Sequence, residues 1–310
     1  MRLNGDIEGS KRAIATFLSN LNSASNDIPY ADLASLFLSQ ATNYAYDFAF
    51  AAAHQQIQNW MPVQDVHGKQ EQLLWDQIYC VGRTMRGEGR FLEAKTCFET
   101  CLGYSGLSFT KSFLVNSSLA DLYCELDYSD VSGRCYLHHA KLMVETNIQR
   151  LRMSSRQHLK GYRRLLLSAA EVYIRQHHYH DAETAVKELL DIYYNLREMD
   201  IVDRLGHVRS LIAFARLSPT SKDALQRWRD VLAWNKFYNP LEEEVFTCCL
   251  VYYALSNTLY TLGDLNGSVE NYCKAKRVSQ RKCRQFLIPG VGTYIYDAVC
   301  APVRSTFEAL

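Results

Sequence analysis

The densest group of potential metal ligands in this 310-residue sequence is a run of imidazoles beside a carboxylate: His177, His178, His180 and Asp181. Zinc needs about four such groups converging in space, and on a helix they usually come from positions i and i+4. Neighbouring side chains in this run point in different directions. Residues 177–179 also separate two helical patterns, which favours a structural role in a turn. We therefore predict neither a metal site nor a bound cofactor.

Glycine-rich and nucleophile motifs give no catalytic assignment either. Gly87-x-Gly89 lies between two helical patterns and does not follow a strand, so it does not fit a phosphate-binding loop. Gly290-x-Gly292 follows Pro289, which is typical of a chain reversal. The sequence contains neither G-x-S-x-G nor H-E-x-x-H. Catalytic residues, if the protein has any, stay unknown at this stage.

Ten cysteines could suggest disulfides, but none of them forms a C-x-x-C pair and most lie among apolar residues in helical patterns. Such cysteines usually pack as small hydrophobic side chains. The first eleven residues include Asp6 and Glu8 and no apolar segment, so they do not resemble a secretory signal. We predict reduced thiols and a cytoplasmic protein.

The elements that would position any site are helices. Apolar residues recur every three or four positions through most of the chain, and no long stretch alternates with period two. Short segments with Gly, Asp, Asn, Pro or Ser separate the helical patterns, as at residues 127–132 and 218–220. The sequence therefore predicts an all-α protein.

One spacing of small and bulky residues repeats along these helices. The clearest copy has Gly82, Phe91, Ala94 and Phe98, and the second has Ala170, Tyr179, Ala182 and Val186. A looser copy contains Ser256, Gly263, Leu265, Ser268 and Tyr272. Small residues allow two antiparallel helices to approach closely, and the larger ones fill the space toward the next pair.

This pattern resembles the tetratricopeptide repeat (TPR) over residues 72–282. Successive anchors lie 38, 50, 42 and 44 residues apart at Gly82, Ala120, Ala170, Ile212 and Ser256. That period exceeds the standard of about 34 residues and looks more like the kinesin light chain type. Residues 238–247 and the ending Pro289-Gly290-x-Gly292-x-Tyr294-x-x-Asp297 are similar to fungal TPR proteins.

The resemblance implies a right-handed α-solenoid of antiparallel helix pairs. We predict a divergent N-terminal helical segment or cap at residues 1–62, repeats at 63–285 and a C-terminal cap at 286–310. In such a solenoid the first helix of each pair lines a concave groove. The repeat register assigns these groove residues: Arg83, Arg86, Arg164, Arg175 and Arg209, a sixth arginine at Arg216, and Tyr79 and Tyr253 as flat contacts.

Arginine is suited to bidentate contacts with carboxylates. The predicted function is therefore a scaffold that binds an extended, acidic peptide or protein segment in the groove. The competing interpretation is that these arginines face water or pair with neighbouring acids. The acids assigned to the same surface are Asp76, Asp121, Glu125 and Glu171.

A second functional hypothesis is a TPR-fold enzyme that encloses a small molecule, as in fungal specialised metabolism. Twenty tyrosines and nine histidines could line an apolar pocket that holds acid–base groups. A deep pocket containing His and Tyr would favour this hypothesis over the scaffold.

The charge balance argues against two other classes of partner. With 34 Lys+Arg and 33 Asp+Glu, the net charge is +1, whereas nucleic-acid binders usually carry a clear basic excess. The basic stretches at 150–164 and 274–284 lack the interleaved aromatics of single-strand binders. Residues 245–255 are the longest mostly apolar stretch and are too short to span a bilayer. We predict no nucleic-acid and no membrane partner.

Overall fold

The structure is a computed structural model that describes residues 6–21, 30–46, 49–58, 69–104, 106–129, 135–155, 159–238, 245–282 and 293–307. Regular structure in these ranges is entirely α-helical, which confirms the predicted class. The helices are α1 (Ile7–Leu21), α2 (Tyr30–Tyr46), α3 (Phe50–Gln58), α4 (Lys69–Gly87), α5 (Phe91–Leu102), α6 (Phe109–Ser129), α7 (Tyr136–Met153), α8 (Lys160–Arg175), α9 (Tyr179–Tyr194), α10 (Ile201–Arg216), α11 (Ser221–Tyr238), α12 (Val245–Thr261), α13 (Leu265–Lys282) and α14 (Thr293–Phe307). Among these described helices, none is both long enough and apolar enough to cross a bilayer.

Contacts divide the chain into two compact units, which we call unit 1 (Met1–Leu122) and unit 2 (Tyr123–Leu310). The division falls inside α6. The predicted boundaries after residues 62 and 285 follow the repeat register instead, and they stay a prediction. Each unit is described by itself below.

In unit 1, α4 and α5 form the pair that the clearest repeat predicts. A Cβ atom on Gly82 would lie 2.9 Å from the ring of Phe98 and 3.0 Å from the Cβ of Cys97. Since real Cβ contacts are not this short, only glycine fits where the two helices approach. Trp75 stacks on Tyr79, whose ring also contacts Phe98, and these aromatic rings form the core of the pair.

In unit 2, α8–α9, α10–α11 and α12–α13 are successive helix pairs. Ala170 and Ala182, the small residues of the second repeat copy, are both fully buried. At the equivalent positions in α12 and α13, the Oγ of Ser256 donates to the carbonyl of Ser268 at 2.8 Å, and Ser268 donates back to the carbonyl of Ser256 at 2.8 Å. Such reciprocal bonds require a close approach of the two backbones, so the predicted spacing of small residues is confirmed.

The turn between the two helices of a pair is built in the same way in three repeats. Its left-handed residue is Gly89, His177 or Gly263, with φ of 79°, 61° and 84°. In each case the next backbone N–H donates to a carbonyl five residues earlier, at 2.9, 2.9 and 3.0 Å, which closes the end of the first helix. His177 is thus a turn residue, as the sequence predicts.

Replacing His177 with glycine is expected to stabilise unit 2 by about 0.5–1 kcal/mol, because a residue with a Cβ is strained in the left-handed conformation. Urea denaturation of the full chain measures the change. His178→Gly is the matched control, since His178 has an ordinary φ of −86° and glycine there should destabilise. Equal effects of the two changes would contradict the assignment of His177 as the strained residue.

The cysteines follow the prediction only in part. All nine described cysteines are free thiols, and the buried ones are Cys101, Cys124, Cys248, Cys249 and Cys300. Cys135 and Cys273, however, are exposed. Cys135 immediately precedes the first residue of α7, and Cys273 lies on the outward side of α13. Cys283 lies outside the described residues.

Candidate functional site

The first helices of the pairs in unit 2 bring charged side chains together near their C-terminal ends. Glu171 and Arg175 are four residues apart on α8, so they share one face of that helix. The cluster that they form with neighbouring helices is called the Glu171 cluster below. Its members are Asp127 and Tyr128 of α6, Glu171 and Arg175 of α8, Arg216 of α10, and Tyr294 and Asp297 of α14.

A buried ion pair forms the centre of the Glu171 cluster. The Nη1 of Arg216 donates to both carboxylate oxygens of Glu171, at 3.0 and 2.7 Å, and joins α10 to α8. The two side chains are only 11% and 5% exposed. Burial opposes the charge of Arg216, but the adjacent Glu171 carboxylate outweighs it, and the pKa of the guanidinium is raised. The guanidinium of Arg216 therefore stays charged in the interior.

Tyr294 brings the C-terminal helix α14 into contact with this pair. Its buried hydroxyl donates to Oε2 of Glu171 at 3.4 Å. Burial, followed by the nearby Glu171 carboxylate, raises the pKa of the phenol well above its usual value of 10. The hydroxyl therefore keeps its proton as a hydrogen-bond donor, and Glu171 accepts from two different helices.

Arg175 and Tyr128 make the second set of contacts with α14. The Nη2 of Arg175 donates to Asp127 at 2.6 Å. Its guanidinium lies 5.2 Å from the ring centre of Tyr294 and 5.7 Å from that of Tyr128, within cation–π range. The hydroxyl of Tyr128 donates to Oδ2 of Asp297 at 2.8 Å, and this bond raises the pKa of the Tyr128 phenol. The cation Arg175 thus contacts the aromatic ring of Tyr294, and the hydroxyl of Tyr128 contacts the carboxylate of Asp297.

α14 also buries an apolar face. Beyond its contacts in the Glu171 cluster, the helix packs on α12, and the ring of Tyr296 meets that of Tyr253. Its remaining buried side chains are Ile295, Val299, Cys300 and Val303. α14 is therefore an amphipathic helix that contacts α6, α8 and α12.

A second polar group, the His207 cluster, lies between α9, α10 and α11. The imidazole of His207 is fully buried and is surrounded by four aromatic rings at centroid distances of 4.9–5.9 Å. These rings are Tyr193, Tyr194, Trp234 and Tyr238. Its Nδ1 lies 2.6 Å from the hydroxyl of Tyr238, whereas its Nε2 is buried without a hydrogen-bond partner. Burial lowers the pKa of His207 from 6.5 to about 4.

Comparison with solved structures finds similar folds in 44 chains. A Rap protein complexed with Competence and Sporulation Factor matches with a TM-score of 0.63 at 10% identity, covering 89% of this chain and 72% of the Rap chain. NprR in complex with its cognate peptide NprX matches with a TM-score of 0.61 at 10% identity, covering 98% and 85% of the two chains. BtubC (BKLC) from P. vanneervenii matches with a TM-score of 0.53 at 13% identity, covering 82% and 98%.

These are tetratricopeptide-type repeat proteins. The chain has the tetratricopeptide repeat fold. At such low identity the likeness concerns the fold alone. No protein-family description and no curated protein sequence matches the chain.

The structure places the predicted TPR groove arginines of unit 2 on α8 and α10. Arg175 lies inside the Glu171 cluster and is paired with Asp127. Arg164 precedes Glu171 by seven residues, two helical turns, so it continues the same face of α8. Arg209 stands in the same relation to Arg216 on α10. Both Arg164 and Arg209 are half-buried.

In unit 1 the predicted groove arginines lie on α4. Arg83 is half-buried, and the Nη1 of Arg86 lies 3.5 Å from Oδ2 of Asp121. Asp76, another acid assigned to this surface, accepts from Lys111 at 2.7 Å. Pairing with neighbouring acids, the competing interpretation of the sequence, therefore describes Arg86 as well as Arg175 and Arg216.

The two tyrosines predicted as flat contact residues are interior side chains in this structure. Tyr79 is 5% exposed, and its hydroxyl lies 3.0 Å from the Oγ of Ser118. Tyr253 is 2% exposed and packs against Tyr272 and Tyr296. With so little exposed surface, both rings stabilise helix packing.

Sequence reasoning missed Tyr294 and Asp297 as members of a charged site. Both belong to the segment Pro289-Gly290-x-Gly292-x-Tyr294-x-x-Asp297, and their i,i+3 spacing predicts a shared face if the segment is helical. The sequence offers no signal, however, for which surface that face contacts.

The His207 cluster unites a histidine with tyrosines, as the enzyme hypothesis requires. The imidazole, however, is enclosed by the rings and is 0% exposed. As placed, His207 is a core group rather than a base that a substrate can reach. Among the described residues, no group of three or more His, Cys, Asp or Glu side chains could hold a metal ion.

Proposed function

We propose that this chain is a binding module that takes a peptide segment on the surface formed by the first helices of unit 2. The observation that carries the proposal is the Glu171 cluster. There, α6 and α8 together contact a tyrosine and an aspartate of another helix, α14. NprR, a similar fold whose structure holds its cognate peptide NprX, supports a peptide-binding role.

We further propose that the bound segment is acidic. We assign the attraction for an acidic partner to Arg164 and Arg209, because these half-buried arginines continue the faces of α8 and α10 that carry Glu171 and Arg216. Arg175 and Arg216 pair with Asp127 and Glu171 and hold the helices together. Guanidinium groups bind carboxylates through charge-assisted hydrogen bonds, which are stronger than neutral ones.

Charge reversal tests this assignment. The full chain is panned against a random peptide display library, and the selected peptides are expected to be enriched in Asp and Glu. In the Arg164→Glu/Arg209→Glu variant, affinity for those peptides should fall at least about tenfold, a loss of about 1.4 kcal/mol. Fluorescence anisotropy with a labelled selected peptide gives the dissociation constants.

A variant with the same change of charge elsewhere is the control. Arg229 on α11 and Arg277 on α13 are exposed arginines on the second helices of their pairs. Arg229→Glu/Arg277→Glu should change peptide affinity by no more than about twofold, since exposed charges away from the site contribute little to binding. Equal losses in the two double variants, or selected peptides without acidic enrichment, would contradict the proposal.

A further inference from the structure

We infer that α14 is a resident occupant of the binding surface, and that the external partner is a helical segment carrying a tyrosine and an acidic residue three positions later. This inference rests on the proposed function and names the partner class of the same surface. Tyr294 and Asp297 are the residues of α14 that define this Tyr-x-x-Asp pattern.

The contacts of Tyr294 and Asp297 amount to specific recognition by the surface. The ring of Tyr294 faces the Arg175 guanidinium, and its hydroxyl reaches Glu171. The Asp297 carboxylate accepts from Tyr128. Tyr294 and Asp297 therefore each have a complementary partner, and these partners lie on α6 and α8. A helix of a partner that presents the same two side chains would find the same contacts.

The repeat architecture does not require α14. The helix pairs α8–α9, α10–α11 and α12–α13 are complete without it, and α14 has no partner helix of its own among the described residues. The helix also contains Pro302, which cannot donate a backbone hydrogen bond in the middle of a helix. An occupant that is attached to the surface without belonging to a pair can be exchanged for a similar segment.

Covalent attachment gives the resident helix an advantage over any external segment. A tethered segment acts at a high effective concentration, so the intact chain should bind a copy of α14 only weakly. Weakening the attachment of the resident helix should then raise the affinity for the external copy. Such a link between the attachment of α14 and the affinity for the external copy is expected if α14 is exchangeable. It is not expected if α14 is an integral part of the core.

The test uses the full chain and a labelled synthetic peptide with the sequence of residues 293–307. The chain variants Tyr294→Ala and Asp297→Ala each remove one of the recognised side chains from α14. Each is expected to bind the wild-type peptide at least about tenfold more tightly than the unaltered chain does. A peptide that itself carries Tyr294→Ala and Asp297→Ala should lose this binding.

Two controls keep the result interpretable. Ala298→Gln changes an exposed residue of the same helix and should leave peptide affinity unchanged. If Tyr294→Ala prevents folding, as judged by circular dichroism and thermal melting, Tyr294→Phe keeps the ring and removes only the hydroxyl. That milder variant should still bind the peptide more tightly than the unaltered chain.

Hydrogen exchange gives the decisive second measurement. Saturating peptide should accelerate exchange of the amides in 293–307 while leaving those of α8 protected. If no variant binds the peptide, or if the peptide binds without accelerating exchange in α14, the helix is a fixed part of the fold and the inference is wrong. That outcome is distinguishable from failure of the proposed function, which is tested separately by the Arg164 and Arg209 variants and the selected peptides.

Discussion

Replacing Arg216 with methionine is expected to lower the free energy of unfolding by about 3–5 kcal/mol, because it leaves the buried Glu171 carboxylate without its cation. Glu171 is only 5% exposed, so water cannot take over the role of the guanidinium. The hydroxyl of Tyr294 would remain as a donor at 3.4 Å, too weak a contact to offset the lost charge. Urea denaturation of the full chain, monitored by circular dichroism, measures the change.

The double variant Glu171→Met/Arg216→Met separates the cost of an unpaired charge from the value of the pair. Apolar side chains of similar volume often replace a buried ion pair with little loss, so we expect the double variant to recover most of the stability. Lys187→Met is the matched control, since Lys187 and Glu183 form an exposed i,i+4 pair at 2.9 Å. Exposed pairs contribute about 0–1 kcal/mol. If Arg216→Met cost no more than Lys187→Met, the pair could not be buried as described.

Acid is expected to destabilise unit 2 through His207. The unfolded chain binds a proton at this imidazole below pH 6.5, whereas the folded chain binds it only below about pH 4. Between these values the unfolded state holds more protons, so the free energy of unfolding falls as the pH is lowered. The lowering of the His207 pKa from 6.5 to about 4 corresponds to about 3 kcal/mol of stability. This contribution is lost between pH 6.5 and 4, and outside that window it does not change with pH.

The contribution of His207 is obtained as a difference between proteins. Urea denaturation is measured at several pH values for the unaltered chain and for His207→Phe, which keeps a ring among the aromatic side chains of the cluster. Stability of the variant should depend less on pH in this window, by the same 3 kcal/mol or so. His138→Gln changes an exposed histidine of the same unit and should keep the original dependence. Parallel pH profiles for the unaltered chain and His207→Phe would refute this role.

The sequence alone predicts the helical fold and the positions where paired helices come into close contact. Apolar periodicity identifies the helices, because one buried face per helix must recur every three or four residues. The close contacts at Gly82, Ala170 and Ser256 are equally predictable, since only small side chains allow two backbones to approach. The turn at His177 follows from its position in the repeat, where Gly89 and Gly263 take the same left-handed conformation.

The ion pairs of the candidate site could not be predicted from the sequence. Arg164 and Arg175 lie on α8, and Arg209 and Arg216 lie on α10. The repeat register, however, does not say which of these arginines pairs with an acid on another helix. The pairs Arg216–Glu171 and Arg175–Asp127 join residues 45 and 48 positions apart. Their existence depends on the rotation and offset between helices, which the packing of many side chains decides together.

What each helix must bury, and where paired helices come closest, can be read from the sequence, because those requirements are local and repeat with a fixed spacing. The position of α14, which brings Tyr294 to Glu171, 123 residues earlier in the chain, is visible only in the folded chain. Contacts across such a separation have no local pattern. They form because α14 packs its apolar face on unit 2 in a position where its polar residues also have partners.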